Sequence, residues 1–350
     1  MVEHQPPVSA VQLAAQGYFE RAWKKEDAKD YAGAVSNCTE AIRLYPDFAE
    51  AYNGRAIAYY RLQTYANMLA DFEEAVRLDP DSDEARSNLG LARLHQRDFA
   101  GAIVDCTHAI EMNPMLTEAY VNRGIIYLST YDLERAQADC AQAIHINPLL
   151  AEGYNARGFV RLFQKDYPAS LADFSHAISL DPESAVLYYS RGLARFHQRD
   201  YKGAEEDYTQ AIQLDPQYVL AYLERGVLRE DKADLAEAVA QATQLVQRNP
   251  FHANTYELRG RARYFSGNYR GALDDLTRAV EIDPTFAEAY IARAGTYIKL
   301  KKMRKMMADY WHVLVHYPNH PRADEIREFV MQYRDTPGCW FGGKFIRITW

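Results

Sequence analysis

Apolar and polar positions alternate along this chain in a form best seen from Ala185 to Pro216, AVLYYSRGLARFHQRDYKGAEEDYTQAIQLDP. Two short amphipathic segments flank the polar turn His197-Gln198-Arg199-Asp200, and Asp215-Pro216 closes the second. The pattern predicts a helix pair, and a pair of this size cannot bury its apolar face alone. It has to stack on copies of itself. The copies are marked by Pro46, Pro80, Pro114, Pro148, Pro182, Pro216, Pro250, Pro284 and Pro318, which follow one another every 34 residues and make up nine of the 14 prolines.

Each repeat carries small residues at fixed distances from its proline. The residue 24 before it is Ala22, Ala56, Gly90, Gly124, Gly158, Gly192, Gly226, Gly260 or Ala294. Glycine inside a helix costs roughly 0.5–1 kcal/mol against alanine, a cost offset if the missing side chain lets two helices approach closely. Alanines five before the proline (Ala41, Ala75, Ala109, Ala143, Ala177, Ala211, Ala279) do the same between neighbours. The acid or amide before the proline ends the second helix, because proline disfavours helical geometry in the preceding residue.

The period, with Tyr188, Arg191-Gly192, Tyr201, Ala204, Tyr208, Ala211 and Pro216, resembles the tetratricopeptide repeat. The resemblance implies an all-α fold: a right-handed α-solenoid superhelix of antiparallel helix pairs, its concave groove lined by the first helix of each pair. Residues 1–14 are then expected to be a flexible leader, 15–320 nine repeats, 321–334 a capping helix and 335–350 an aromatic tail. Ile326, Phe329, Val330 and Tyr333 give the capping helix one apolar face. Two repeats depart from the pattern. The seventh pairs Ala242 with Leu245, a swap read as conserving volume, and the ninth carries Met303, Met306, Met307 and Val313, as a terminal repeat does.

Composition narrows the function. The net charge is −8, yet from Lys299 onward ten Lys and Arg stand against five acids, so the first 298 residues are more acidic than the total. An acidic body repels phosphate backbones, which excludes nucleic acid along the repeats. The run KLKKMRKMM (299–307) reads as a solvated helix end. No apolar run approaches the ~18 residues of a membrane span, and the N-terminus lacks a signal-peptide layout, so a cytoplasmic protein is expected. Cys38, Cys106 and Cys140 each lie eight before a proline, a core slot filled elsewhere by Phe72, Phe174, Tyr208 and Tyr310. One apolar slot per repeat cannot converge on a single ion.

Arginines 25 before the proline (Arg21, Arg55, Arg123, Arg157, Arg191, Arg225, Arg259, Arg293) run parallel to aspartates nine before it (Asp71, Asp105, Asp139, Asp173, Asp207, Asp275, Asp309). Leu89, Asn37 and Gln241 interrupt the two series. One residue on each helix of a pair predicts internal ion pairs.

The resemblance places groove positions 30, 27, 23, 20 and 19 before each proline. These, with their neighbours, give a partner-binding set of Asn53, Ile57, Tyr60, Leu91, Leu94, Asn122, Ile125, Leu128, Phe159, Leu162, Phe163, Tyr189, Leu193, Phe196 and His197, with Glu118 and Glu152 on its rim. Glu50, Glu84, Glu118 and Glu152 form an acidic row that suits basic residues flanking apolar anchors. Phe159, Leu162, Phe163, Tyr189, Leu193 and Phe196 make its densest aromatic cluster. The family's carboxylate clamp is disfavoured: Asn88 and Asn122 fit its asparagine slot, but glutamates replace its lysines. No phosphate loop, Gly-x-Ser-x-Gly or His-Glu-x-x-His motif is present. His312 and His316 share a helix face without a third ligand, so no metal, cofactor or catalytic residue is expected. The expected function is a non-enzymatic protein-interaction scaffold binding a peptide or helical segment. The alternative is a substrate-recruiting or regulatory subunit of a separate enzyme or chaperone complex.

One-dimensional stacking makes stability local. Gly192→Leu overpacks one helix crossing and is expected to cost roughly 1–3 kcal/mol. Hydrogen exchange should show protection lost in neighbouring repeats alone; uniform loss from the first repeat to the ninth would contradict the reading.

Overall fold

The computed structural model describes residues 9–333. Every regular element among them is a helix, and they fall into two compact units, one ending at Pro182 and one beginning at Glu183. The first unit holds repeats 1–5: α1 (Ala10–Asp27) with α2 (Tyr31–Leu44), α3 (Ala49–Arg61) with α4 (Tyr65–Leu78), α5 (Asp83–His95) with α6 (Phe99–Met112), α7 (Thr117–Ser129) with α8 (Leu133–Ile146), and α9 (Ala151–Phe163) with α10 (Tyr167–Leu180). The second holds repeats 6–9: α11 (Ala185–His197) with α12 (Tyr201–Leu214), α13 (Val219–Arg229) with α14 (Lys232–Arg248), α15 (Ala253–Phe265) with α16 (Tyr269–Ile282), and α17 (Ala287–Lys299) with α18 (Met303–His316), followed by α19 (Ala323–Tyr333). The first helix begins at Ala10, inside the stretch assigned to a leader. Ser9 accepts from the Gln12 N–H while the Gln12 side chain accepts from the Ser9 N–H, a capping box that satisfies two donors at once.

Within a pair the chain reverses through one left-handed residue. Lys29, Gln63, Arg97, Tyr131, Lys165, Arg199 and Lys301 all have φ between 56° and 66°, and repeat 8 uses Gly267 at 81°. In five repeats the next residue is an aspartate that caps the second helix. Asp30, Asp98, Asp132, Asp166 and Asp200 each accept from a backbone N–H three residues on.

Glycines in the first helices admit the large residue of the second. A Cβ on Gly192 would lie 2.6 Å from the Tyr208 ring, and one on Gly158 2.5 Å from Phe174. Cys38, Cys106 and Cys140 occupy the same slot in repeats 1, 3 and 4. Burial pushes all three thiols up to about 12, as expected of core side chains.

The arginine–aspartate ladder is internal. Arg55, Arg123, Arg157, Arg191, Arg259 and Arg293 each grip the aspartate sixteen residues on with Nε and Nη2, at 2.6–3.0 Å. Each also lies over the tyrosine one turn earlier, at 5.2–5.8 Å. A second arginine, which the sequence reading did not single out, reaches the same carboxylate in three repeats: Arg161 to Asp173, Arg195 to Asp207 and Arg263 to Asp275.

Two of the three breaks in the ladder, those in repeats 3 and 7, are met by other residues. In repeat 3 Leu89 replaces the arginine, and Arg86, one turn earlier where other repeats hold tyrosine, stands 3.8 Å from Asp105, with Arg93 at 2.6 Å. In repeat 7 Gln241 replaces the aspartate, and Arg225 is gripped instead by Asp234 at 2.7 and 2.8 Å. Asp234 stands where the cap aspartate stands in other repeats. It is free for this role because the turn comes three residues early, at Glu230 (φ 54°), and Asp231 caps α14. The early turn shortens α13 to 11 residues and lengthens α14 to 17. It also brings Leu235 over Gly226, its side chain 3.0 Å from where a Cβ would sit.

The last core cluster joins Tyr290, Ile291, Met306, Met307, Tyr310 and Val313 to Ile326 and Val330 of α19, and Phe329 meets Tyr310 edge-on at 5.7 Å. The side chain of Tyr333 and the aromatic tail lie outside the described residues.

Removing the relocated carboxylate tests the repair. Asp234→Ala leaves the Arg225 guanidinium largely buried without its partner and is expected to cost about 3 kcal/mol, read from the urea midpoint at constant slope. Adding Gln241→Asp restores the regular register and should recover part of that loss. An unchanged midpoint in the single variant would show that the pair does not hold the helices together.

Candidate protein-binding face

Contacts between repeats beyond chain neighbours run from first helix to first helix, as in α1 with α3, α5 with α7, α7 with α9 and α15 with α17. Residues 23 and 20 before the proline pack at one edge against their own second helix, as Phe159 does edge-on against Phe174 at 5.2 Å. In the first unit Ile57, Tyr60, Leu91, Leu94, Ile125, Leu128, Phe159 and Leu162 are each half-buried. They pack at their base and leave part of their surface open. Phe163 is 38% exposed and meets Tyr131 edge-on at 6.2 Å.

Polar residues border this stripe. Glu50, Glu84, Glu118 and Glu152 are all exposed, one in the first turn of each of α3, α5, α7 and α9. Placement there suits the positive end of a helix dipole. An amide chain runs below them: Asn88 donates to Asn53 at 3.1 Å, and Asn53 donates to Glu84 at 3.4 Å. Asn122 corrects the sequence reading. It is 9% exposed and donates to the Ser87 hydroxyl at 3.0 Å, so it ties two first helices together and does not face solvent.

In the second unit Tyr189 is likewise corrected. It is buried against Tyr208 (6.0 Å) and Tyr218 (5.3 Å), where burial raises its hydroxyl pKa well above the usual range. Leu193 and Phe196 are half-buried in the same cluster, Phe196 edge-on to Tyr201 at 5.5 Å, and His197 is exposed. The six residues read as one aromatic cluster are thus three in each compact unit.

A half-buried ionic group in the second unit went unread. Arg261, 23 before its proline where most repeats carry an apolar residue, pairs with Glu224 at 3.1 Å and Glu257 at 3.7 Å. Burial opposes its charge, but the two glutamates outweigh that and hold its pKa above the ordinary arginine value. A charged residue in an otherwise apolar series was the available signal.

Family models described as tetratricopeptide repeat match residues 49–82, 69–105, 117–148, 185–218 and 223–287, more than half of the chain. The chain belongs to the tetratricopeptide repeat family. No curated protein sequence matches it. Among solved structures it is similar to the Cut9–Hcn1 hetero-tetramer of the APC/C, at 13% identity over 91% of this chain and 76% of that one, with a TM-score of 0.54. It is also similar to a thermophilic tetratricopeptide repeat protein of Thermus thermophilus, at 18% identity over 52% of this chain and 99% of that one, with a TM-score of 0.50. These likenesses speak to the fold. A tetratricopeptide repeat fold supports a role as a protein–protein interaction scaffold.

Two features bear on other chemistry in this tetratricopeptide repeat protein. Among the described residues no helix is long and apolar enough to cross a membrane, and no three His, Cys, Asp or Glu side chains gather to hold a metal ion. The rings of His312 and His316 lie 4.4 Å apart, and His312 stacks on Tyr290 at 4.1 Å.

Its surroundings make His312 pH-sensitive. Burial first, and His316 second, lower its pKa below the ordinary 6.5. The unfolded chain therefore takes up the proton more readily, and stability falls as pH drops through about 6.5 and below. His312→Gln should reduce the difference in urea midpoint between about pH 7.5 and about pH 5.5. An undiminished difference would assign the pH dependence to other groups.

Proposed function

We propose that the first unit binds a peptide or helical segment of a protein partner across α3, α5, α7 and α9. Apolar anchors of the partner lie on the stripe formed by Ile57, Tyr60, Leu91, Leu94, Ile125, Leu128, Phe159 and Leu162, and basic residues flank them opposite Glu50, Glu84, Glu118 and Glu152. The observation that carries the reading is the pairing of two rows at one pitch: a half-open apolar row and an exposed carboxylate row, each supplied once per repeat. A solvated face has no need of the first row, and core packing has no need of the second. Partner segments that meet such a face by alternate anchors belong to the helix-in-groove or extended-peptide modes. Phe163, exposed at the end of the stripe, supplies an aromatic edge of the kind that dominates binding energy.

A random peptide library selected on the full chain tests this. Recovered sequences should combine Leu, Ile or Phe with flanking Lys or Arg, and bind at least roughly ten-fold more weakly to the triple variant Glu84→Gln, Glu118→Gln, Glu152→Gln, or at high salt. Leu94→Ala with Leu128→Ala should weaken the same peptides while circular dichroism stays helical. Selected peptides without basic residues, or binding indifferent to both variants, would overturn the assignment.

A further inference from the structure

At two junctions between repeats of the first unit the residue 20 before one proline meets the residue 19 before the next. Complementary pairs close both. Glu26 of repeat 1 pairs with Arg61 of repeat 2 at 3.5 Å. Tyr60 of repeat 2 meets His95 of repeat 3 at 5.4 Å, and Tyr65, five residues beyond Tyr60, stacks on the same ring at 4.6 Å.

The junction of repeats 7 and 8 does not match. The two positions there hold Glu230 and Phe265, a carboxylate and a phenyl ring that line one cleft. The early turn also carries Glu230 to the surface, and Leu235, in the slot that Tyr65 fills in repeat 2, turns over Gly226 instead. Phe265 is left 44% exposed, its ring meeting only the edge of the adjacent Tyr264, at 5.2 Å, among the ring contacts of this junction. What opens between them is a cleft of about 730 Å³, walled by Val227, Leu235, Val239 and Phe265, with Lys232 and Asn268 at its rim.

We propose that this cleft is a binding site for one aromatic side chain of a partner polypeptide, seated against Phe265 between Val227, Leu235 and Val239. The occupant follows from the chain itself: at the junction of repeats 2 and 3 the corresponding space is filled by the protein's own rings. Repeat 7 offers only a glutamate and a displaced leucine. The volume is larger than one ring needs and lies in the range of ligand sites, leaving room for backbone on either side. Lys232 and Asn268 supply hydrogen-bonding groups for that backbone at the mouth. The site lies wholly within the second unit and stands independently of the face proposed on the first.

The test uses the full chain with labelled valine and leucine methyl groups, and p-cresol as the probe, with cyclohexanol as a ring of similar size without π electrons. Methyl signals of Val227, Leu235 and Val239 should shift saturably with p-cresol in the millimolar range, and at least ten-fold more weakly with cyclohexanol. Val239→Phe, which fills the cleft from within, and Phe265→Ala, which removes its aromatic wall, should each abolish the response; both positions are partly exposed, so the fold should tolerate the change. No shift up to the solubility limit, equal response to cyclohexanol, or a full response in Val239→Phe would overturn the proposal. Shifts that follow protein concentration without p-cresol would assign the cleft to a second copy of the chain and overturn it as well.

Discussion

A guanidinium gripped by a carboxylate from the facing helix and covered by a tyrosine ring is the unit on which this structure depends. Both charges are largely withdrawn from water, so neither tolerates loss of the other. Breaking such a pair costs roughly 3–5 kcal/mol, whereas forming it stabilises little beyond an apolar replacement. The pair therefore acts less as glue than as a rule about which sequences are allowed. Repeat 3 meets the rule with Arg93, 2.6 Å from Asp105, and with Arg86 one turn earlier at 3.8 Å, and repeat 7 by moving the aspartate, to Asp234. Repeat 1 lacks the carboxylate, and there Arg21 lies at the surface over Tyr18 at 4.1 Å.

The two relocations differ in their structural consequence. Moving Arg86 within a helix leaves the backbone regular. Recruiting Asp234 takes it out of the capping position, and the cap passes to Asp231 with the turn three residues early. An electrostatic requirement in the middle of the pair is thus linked to the shape of its end, where Glu230 and Phe265 no longer match. Repeat 7 is where a local departure in sequence becomes a surface feature.

Much of this was legible in the sequence, for a specific reason. Solenoid positions repeat at one period, so a residue type recurring at a single phase, such as the glycines facing Phe174 and Tyr208 or the arginines facing their aspartates, reveals its partner again at each recurrence. What did not recur was not legible. Asp231 and Asp234 are both good caps, and only the partner of Arg225 decides between them. Asn122 looked like a groove residue because its phase is correct, but its depth depends on Ser87 of the preceding repeat being small enough to receive its amide. Tyr189 was misread in the same way, since three tyrosines converge on one another across two repeats. Phase gives the direction of a side chain; its depth is set by the neighbours.

The three cysteines of the first unit have a use beyond filling space. Their thiols sit in repeats 1, 3 and 4, fully enclosed and far from the thiolate form that electrophiles require. An alkylating reagent can thus reach each one only when its own helix pair opens. The chain carries three internal clocks spaced along the first unit, each reporting how often one repeat parts company with its neighbours while the rest of the stack remains closed.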